Sequence, residues 1–465
     1  MSETAPLANR PDAWIDALVD PESFIAFGAG DSFAAEVVTG LATIGGRPAA
    51  VYAIDPGRDR GFVSSNGATK IRAIMDRAEE LGIPIVALLA SAGVSIDEGL
   101  ASGEAYTRVI TGNVRLSGVV PQIAAVMGVT MGAPAYSASL MDVVVMQKTR
   151  GHLMVTGPAV VERMLGETPT LADLGGADVH AARTGLVDFV ARDARAALAI
   201  VRDLLAILPS NRIESSPASP PRKPVRSMPE IPERPDLALD VREVLDAVTD
   251  EATLLEFGAR FGPSLITAFA RIDGRSVGIL ANQSLESAGA IGTDAADKAS
   301  TFLRICDAYG LPIVSLIDVP GFLPGVAEES RGLLRRGAAM CQAMYTSVPR
   351  VSVVLRKCYG AAAFVMMQTR GQDGDLVLAL PTSRIAVMGF DAARHVVYPG
   401  ATDDEATLRA RYFDDYEAPA NAMRLGLVDA VVQPGQLRAT LALHLSWLDR
   451  RRDRSLPAKR HAIPT

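Results

Sequence analysis

The segment TKIRAIMDRAEELG, residues 69–82, places Ile71, Ile74, Met75 and Ala78 on one face at helical spacing, and the apolar run IPIVALLA follows directly. The first pattern predicts an amphipathic helix and the second a strand buried on both faces. KASTFLRICDAYG and then LPIVSLIDV, residues 298–319, repeat the same order. Strands that are apolar throughout and alternate with helices imply an α/β fold with helices covering a sheet. The most apolar stretch, Gly118 to Met146, is broken by Pro121, Pro134 and several glycines. It therefore predicts a buried strand, a loop and a helix, not a membrane span.

The two segments belong to an internal repeat. IGGRPAAVY at 44–52 aligns with IDGRSVGIL at 272–280, an offset of 228 residues from Arg47 to Arg275. The same offset carries Lys70 to Lys298, Gly82 to Gly310, Pro84 to Pro312, Gly93 to Gly321, Pro121 to Pro349 and Gly132 to Gly360. One spacing held over about 90 residues without an insertion predicts two copies of one fold. Between them PSNRIESSPASPPRKPVRSMPEIPERP, residues 209–235, holds eight of the 29 prolines and almost no large apolar residues. It reads as a linker between domains at 1–208 and 236–465, with a proline-rich belt packed on one domain as the alternative.

Composition narrows the partners. A chain of 465 residues with 49% hydrophobic residues can fill two cores. A net charge of −7 without a basic stripe argues against nucleic acid and anionic membranes. Cys306, Cys341 and Cys358 are too few for a disulfide framework and lack zinc-ribbon spacing. MSETAPLANRPDAW carries no basic segment followed by an apolar run, so no secretory signal is visible and a cytoplasmic location is expected.

The candidate chemistry lies in the turns after the apolar strands: Ser91-Ala92-Gly93 and Gly132-Ala133 in the first half, Gly321 and Gly360-Ala361-Ala362 in the second. Small residues there let a ligand approach the main chain and leave first-turn NH groups free to donate. Two such NH groups aimed at one oxygen form an oxyanion hole, which stabilises an enolate or a tetrahedral anion. Close helix–sheet packing also favours small residues, but its recurrence at matching repeat positions favours the site. Ser91 and Ser137 could act as nucleophiles only with a base, and none can be assigned to them. His152, His180, His395, His444 and His461 form no ligand-spaced cluster, so no metal is expected. Neither a GxSxG elbow nor a GxxxxGK[ST] loop is present.

NVRLSGVVPQIAAVMGVTMGAPAYSASLMD at 113–142 resembles the first-half signature of the propionyl-CoA and methylcrotonyl-CoA carboxylase β subunits. DVPGFLPGVAEESRGLLRRGAAM at 318–340, VPRVSVVLRKCYGAAAFVMM and PTSRIAVMG resemble its C-terminal partner, and the likeness extends to the terminal KRHAIP. The resemblance implies two tandem crotonase-like β-β-α spiral domains in a hexamer, a trimer of dimers. It implies carboxyl transfer from carboxybiotin to the α-carbon of an acyl-CoA through an enolate, with biotin on a separate biotin carboxylase and carrier subunit. On the first domain, Gly132 and Ala133 would hold the thioester enolate, with Ser91, Ala92, Gly93 and Tyr136 on the CoA side. On the second, Ala361 and Ala362 would stabilise the biotin oxyanion, while Gly321, Phe322, Gly360 and Phe364 line the biotin and acyl pocket.

Departures from the family's pattern cluster at this site. The SGGARIQEG of the family is SAGVSIDEG here, with Ala92 for Gly, Val94 for Ala and Ser95 for Arg; FGGS is replaced by DRGF around Arg60 and Gly61. Ala133 and Pro134 stand where glycines are usual, and Pro134 has no NH to donate. Phe364 stands for an Asp that tunes acyl selectivity, changing both volume and polarity. An atypical acyl substrate is therefore expected. A biotin-independent decarboxylase of a malonyl-type thioester and a catalytically weak structural subunit remain as alternatives.

Overall fold

A computed structural model of the chain describes residues 7–28, 34–346, 348–372 and 374–448. His461 and the KRHAIP motif lie outside these residues. The chain divides into two units, Met1–Pro217 and Ala218–Thr465. In the first, the strands are β1 (Ile25–Phe27), β2 (Val37–Ile44), β3 (Arg47–Ile54), β4 (Phe62–Val63), β5 (Ile85–Ser91), β6 (Gly93–Val94), β7 (Gln122–Met131), β8 (Val143–Gln147), β9 (His152–Met154) and β10 (Phe189–Ala191). One sheet runs β1-β2-β3-β5-β7-β8-β10, antiparallel up to β3 and parallel beyond, with β9 paired to the last residues of β7. A separate parallel pair, β4 with β6, sets Phe62 beside Gly93.

The second unit contains β11 (Leu255–Phe257), β12 (Leu265–Ile272), β13 (Arg275–Asn282), β14 (Ile313–Val319), β15 (Arg350–Tyr359), β16 (Leu376–Ala379), β17 (Arg384–Ala386) and β18 (Ala430–Val431). Its sheet runs β11-β12-β13-β14-β15-β16-β18, with β17 off β15, and so copies the first. β2, β3, β5 and β7 have the same bounds as β12, β13, β14 and β15 after the 228-residue shift from Arg47 to Arg275. Beyond Gly360 the spacing lengthens, and the repeat ceases to be visible by alignment.

The expected helix spans Ser65–Leu81 and buries Ile71, Ile74, Met75 and Ala78. The Ser64 hydroxyl accepts from the Gly67 NH at its start, and Gly82, at φ 61°, ends it in the left-handed conformation that glycine adopts without steric cost. Burying the three larger side chains contributes about 1.5–3 kcal/mol each. Among the described residues no helix is long and apolar enough to cross a membrane.

The proline-rich segment straddles the division between units. Before it, the Arg212 NH donates to the Val119 carbonyl and the Asn211 amide to that of Gly82, at 3.1 and 2.8 Å. After it, the Ser219 NH donates to the Gly274 carbonyl at 3.2 Å, the Val225 NH to Asp246 at 3.0 Å, and Ile231 is buried in the second core. Residues 218–235 thus lie as a strap on the second unit.

Lys298 is 4% exposed on the helix Thr293–Ala308, one turn from Phe302, and donates to the Gly258 carbonyl at 3.1 Å. Burial lowers its pKa to about 7, with Glu256 opposing that shift and Arg242 adding to it. The unfolded chain binds this proton up to pH 10.5, the folded one only to about 7, so the lysine's destabilisation is complete at low pH and fades between those values. Lys298→Met is expected to raise thermal stability most at pH 6 and less at pH 9, the difference amounting to about 3 kcal/mol. Calorimetric melts at the two pH values check it.

Candidate functional site

The two halves present their turns in the same way. In the first, Gly132 has φ 67°, and the nearest atom to the place a Cβ would occupy is the Gly93 Cα at 3.9 Å. The β5–β6 turn therefore faces the turn that opens the helix Ala133–Ser139. The Gly132 NH is taken by the Met154 carbonyl at 3.1 Å. The NH groups of Ala135 and Tyr136 both go to the Gly132 carbonyl, at 3.0 and 3.2 Å, and Pro134 has none. As the first helical residue, Ala133 has no intrahelical acceptor for its NH, which makes it the donor this turn offers.

Around it the backbone is held by local bonds. Ser91 is fully buried; its hydroxyl donates to the Gly61 carbonyl at 2.6 Å and accepts from the Gly93 NH at 3.2 Å. The Ala92 NH donates to the Arg60 carbonyl at 3.1 Å, which ties the divergent DRGF and SAGV segments together. Arg60, at φ 55°, places its guanidinium 5.0 Å from the centre of the Phe62 ring. Gly61, at φ 78°, could not be replaced without driving a Cβ into the Ala90 carbonyl. Gly289 repeats this contact against Asp318. Tyr136 is exposed on the outer side of the first helical turn.

In the second unit Gly360, at φ 69°, opens the helix Gly360–Met367, with Ala361 exposed and Ala362 buried in its first turn. No proline interrupts this turn, so both alanines keep an NH without an intrahelical acceptor. Nothing lies within 4 Å of a Cβ built on Gly321, and at Gly360 only the Val387 carbonyl does, at 3.8 Å. A planar ligand can therefore reach this backbone. Phe322 is half-buried, its ring 3.2 Å from a Cβ built on Gly337, and Phe364 is half-buried one turn after Gly360.

Sequence reasoning missed two charged groups behind these turns. Asp318, 1% exposed, receives the Arg356 guanidinium at 2.6 Å on one oxygen, and the Lys357 ammonium and NH at 2.8 and 3.1 Å on the other. The Tyr359 hydroxyl donates to Glu417 at 2.8 Å, and Arg384 pairs with that carboxylate's other oxygen at 2.9 Å. Burial first, and then Glu417, push the Tyr359 phenol well above its usual range. The signal was present in VVLRKCYG, where two cations interrupt a strand otherwise buried on both faces. His180 bonds the Leu153 carbonyl at 2.7 Å, and His152 bonds the Arg150 carbonyl at 3.0 Å. Among the described residues no group of His, Cys, Asp or Glu is placed to hold a metal.

Two β-β-α spirals, each ending in glycine turns that open a helix N-terminus to a ligand, define a crotonase-like enzyme scaffold. Residues 14–463 match the carboxyl transferase domain family, and the chain belongs to that family. It is 37% identical over 450 residues to the propionyl-CoA carboxylase beta chain of Saccharopolyspora erythraea, covering 91% of this chain and 82% of that one. It is 36% identical over 434 residues to the methylmalonyl-CoA decarboxylase subunit alpha of Veillonella parvula, covering 92% and 85%. The crystal structure of transcarboxylase 12S, a hexamer with methylmalonyl-CoA and methylmalonic acid bound, superposes with a TM-score of 0.91. It shares 36% identity and covers 98% of this chain and 92% of its own.

Proposed function

We propose that this carboxyltransferase moves a carboxyl group between biotin on a separate carrier subunit and the α-carbon of an acyl-CoA, working as a hexamer in the cytoplasm. The observation that carries the reading is the duplicated turn: each unit presents helix N-terminal NH groups over open backbone, at Ala133 and at Ala361 with Ala362. The first would stabilise the thioester oxygen as an enolate forms, and the second the oxygen of the carboxyl-bearing ring. Carrier-borne biotin supplies the carboxyl group as an N-carboxylate and keeps the α-proton in exchange. Gly132 shapes the first turn, while Ser91, Ala92 and Gly93 form the wall facing it. The open faces of Gly321 and Gly360 suit a flat ring, and the Phe322 and Phe364 rings supply apolar walls. Free thiols at Cys306, Cys341 and Cys358 suit a reducing compartment.

The purified chain, mixed with a biotinylated carrier and its carboxylase, is expected to carboxylate at least one member of an acyl-CoA series, and to do nothing without biotin. Equal turnover in the absence of any biotin would sink the reading. Phe364→Asp is expected to move preference among acyl chain lengths by about 10-fold, since an apolar pocket discriminates a methylene by 1–3 kcal/mol. The comparison is kcat/KM across the series, and an unchanged ranking removes this residue from the acyl pocket.

A further inference from the structure

At one place the repeat keeps its backbone and changes its chemistry. In the first unit, Leu89 faces Val126 across β5 and β7, but Ser91 faces Thr130, so extra residues of β7 bulge opposite Ala90. In the second, Ile317 faces Val354 and Val319 faces Cys358, the same bulge opposite Asp318. The first is filled by small groups: a Cβ on Gly128 would lie 2.8 Å from that of Ala90. In the second, Arg356 stands at the position of Gly128 and Lys357 at that of Val129, and Asp318 pairs with both.

The bulge joins the two turns of the second site. Asp318 is three residues before Gly321, and Lys357 three before Gly360. The two cations also reach outward, Lys357 to the Pro235 carbonyl at 3.1 Å at the end of the strap and Arg356 to the Leu237 carbonyl at 2.6 Å just after it. Ser284 accepts from Arg356 at 3.2 Å and bonds the Leu239 NH at 2.8 Å. Filling a bulge does not require charge, as the first unit demonstrates.

We propose that Asp318, Arg356 and Lys357 are positioning residues of the carrier-side site, clamping its two turns at working separation and locking onto them the end of the strap and the residues that follow it, 234–239. The proposal rests on the functional reading above. Because these groups are buried, they touch no substrate and act through Gly321 and the Gly360 turn.

The test is the variant Asp318→Ala/Arg356→Gly/Lys357→Val, which gives the second bulge the filling of the first, so that the unit folds. In the full chain, with a biotinylated carrier and the member of the acyl-CoA series that the wild type carboxylates fastest, kcat is expected to fall on the order of 10- to 100-fold, as for misplaced catalytic groups. KM for the acyl-CoA should change much less than kcat, since the CoA-side groups of the first unit, Ser91 to Gly93 and Ala133, are untouched and Phe364 keeps its place on its own helix. Amide hydrogen exchange at Leu237 and Leu239 should accelerate at least 10-fold, because their anchoring carbonyls and serine lose Arg356. A folded variant with wild-type kcat overturns the proposal, as does exchange unchanged from wild type. Should the wild-type chain transfer no carboxyl group from the carrier, the functional reading falls instead, and strap exchange alone decides the clamp.

Discussion

Replacing Ala133 with proline is expected to lower kcat for carboxyl transfer by about 100- to 1,000-fold, the loss seen when one oxyanion-hole donor is removed. The substitution is chosen because it replaces the NH with a ring carbon without breaking a helical bond. Ala133 is the first residue of its helix, where proline's fixed φ is already suited and no helical bond is lost. Pro134 shows that this entry tolerates the ring. The same turn has no replacement donor: the Gly132 NH is held by Met154, and the next two NH groups bond the Gly132 carbonyl. Circular dichroism and the oligomeric state should match wild type. Steady-state kinetics with the biotinylated carrier make the measurement, and a folded variant retaining more than about a third of wild-type kcat would remove Ala133 from the oxyanion site.

Asp318→Ala alone is expected to destabilise the second unit by about 3–5 kcal/mol, the usual cost of stranding a buried charge partner. Two cations lose their counter-ion at once. Arg356 is completely buried and Lys357 is 7% exposed, so water cannot replace the carboxylate. Losing the acceptor for the Lys357 NH at 3.1 Å adds to the effect. For a unit of this size the melting temperature should fall by roughly 10 °C, read by calorimetry. The triple substitution, which removes the cations together with the carboxylate, should recover most of that loss. Equal melting of the single variant and wild type would mean the three groups are not mutually dependent. Exposed pairs such as Arg77 with Glu80 should by contrast change the melt little.

Much of the scaffold was legible because its determinants are local. The helix Ser65–Leu81 is readable from the spacing of four apolar residues and from Gly82, and β5 from an unbroken apolar run. Glycines forced into positive φ, such as Gly132 and Gly360, keep their places in both copies, so an offset in the sequence became an offset in the fold. The turn Asp59–Gly61, with Asp59 and Arg60 at positive φ, was not foreseen. Its carbonyls accept from distant donors, Arg60 from the Ala92 NH and Gly61 from the Ser91 hydroxyl, so residue preference does not set it.

What the sequence by itself determined is therefore the duplicated α/β plan and the location of the two pairs of turns, since residue size and periodicity act over a few neighbours. Which NH groups those turns can offer was decided only in three dimensions. Met154, on a later strand, takes the hydrogen of Gly132, and this leaves Ala133 as the donor. The charged bulge is likewise a tertiary fact: Arg356 meets Asp318 across 38 residues of chain, in a place where desolvation makes either partner costly alone. Long-range pairing of buried groups depends on where the sheet brings strands together, which no local pattern in the sequence records.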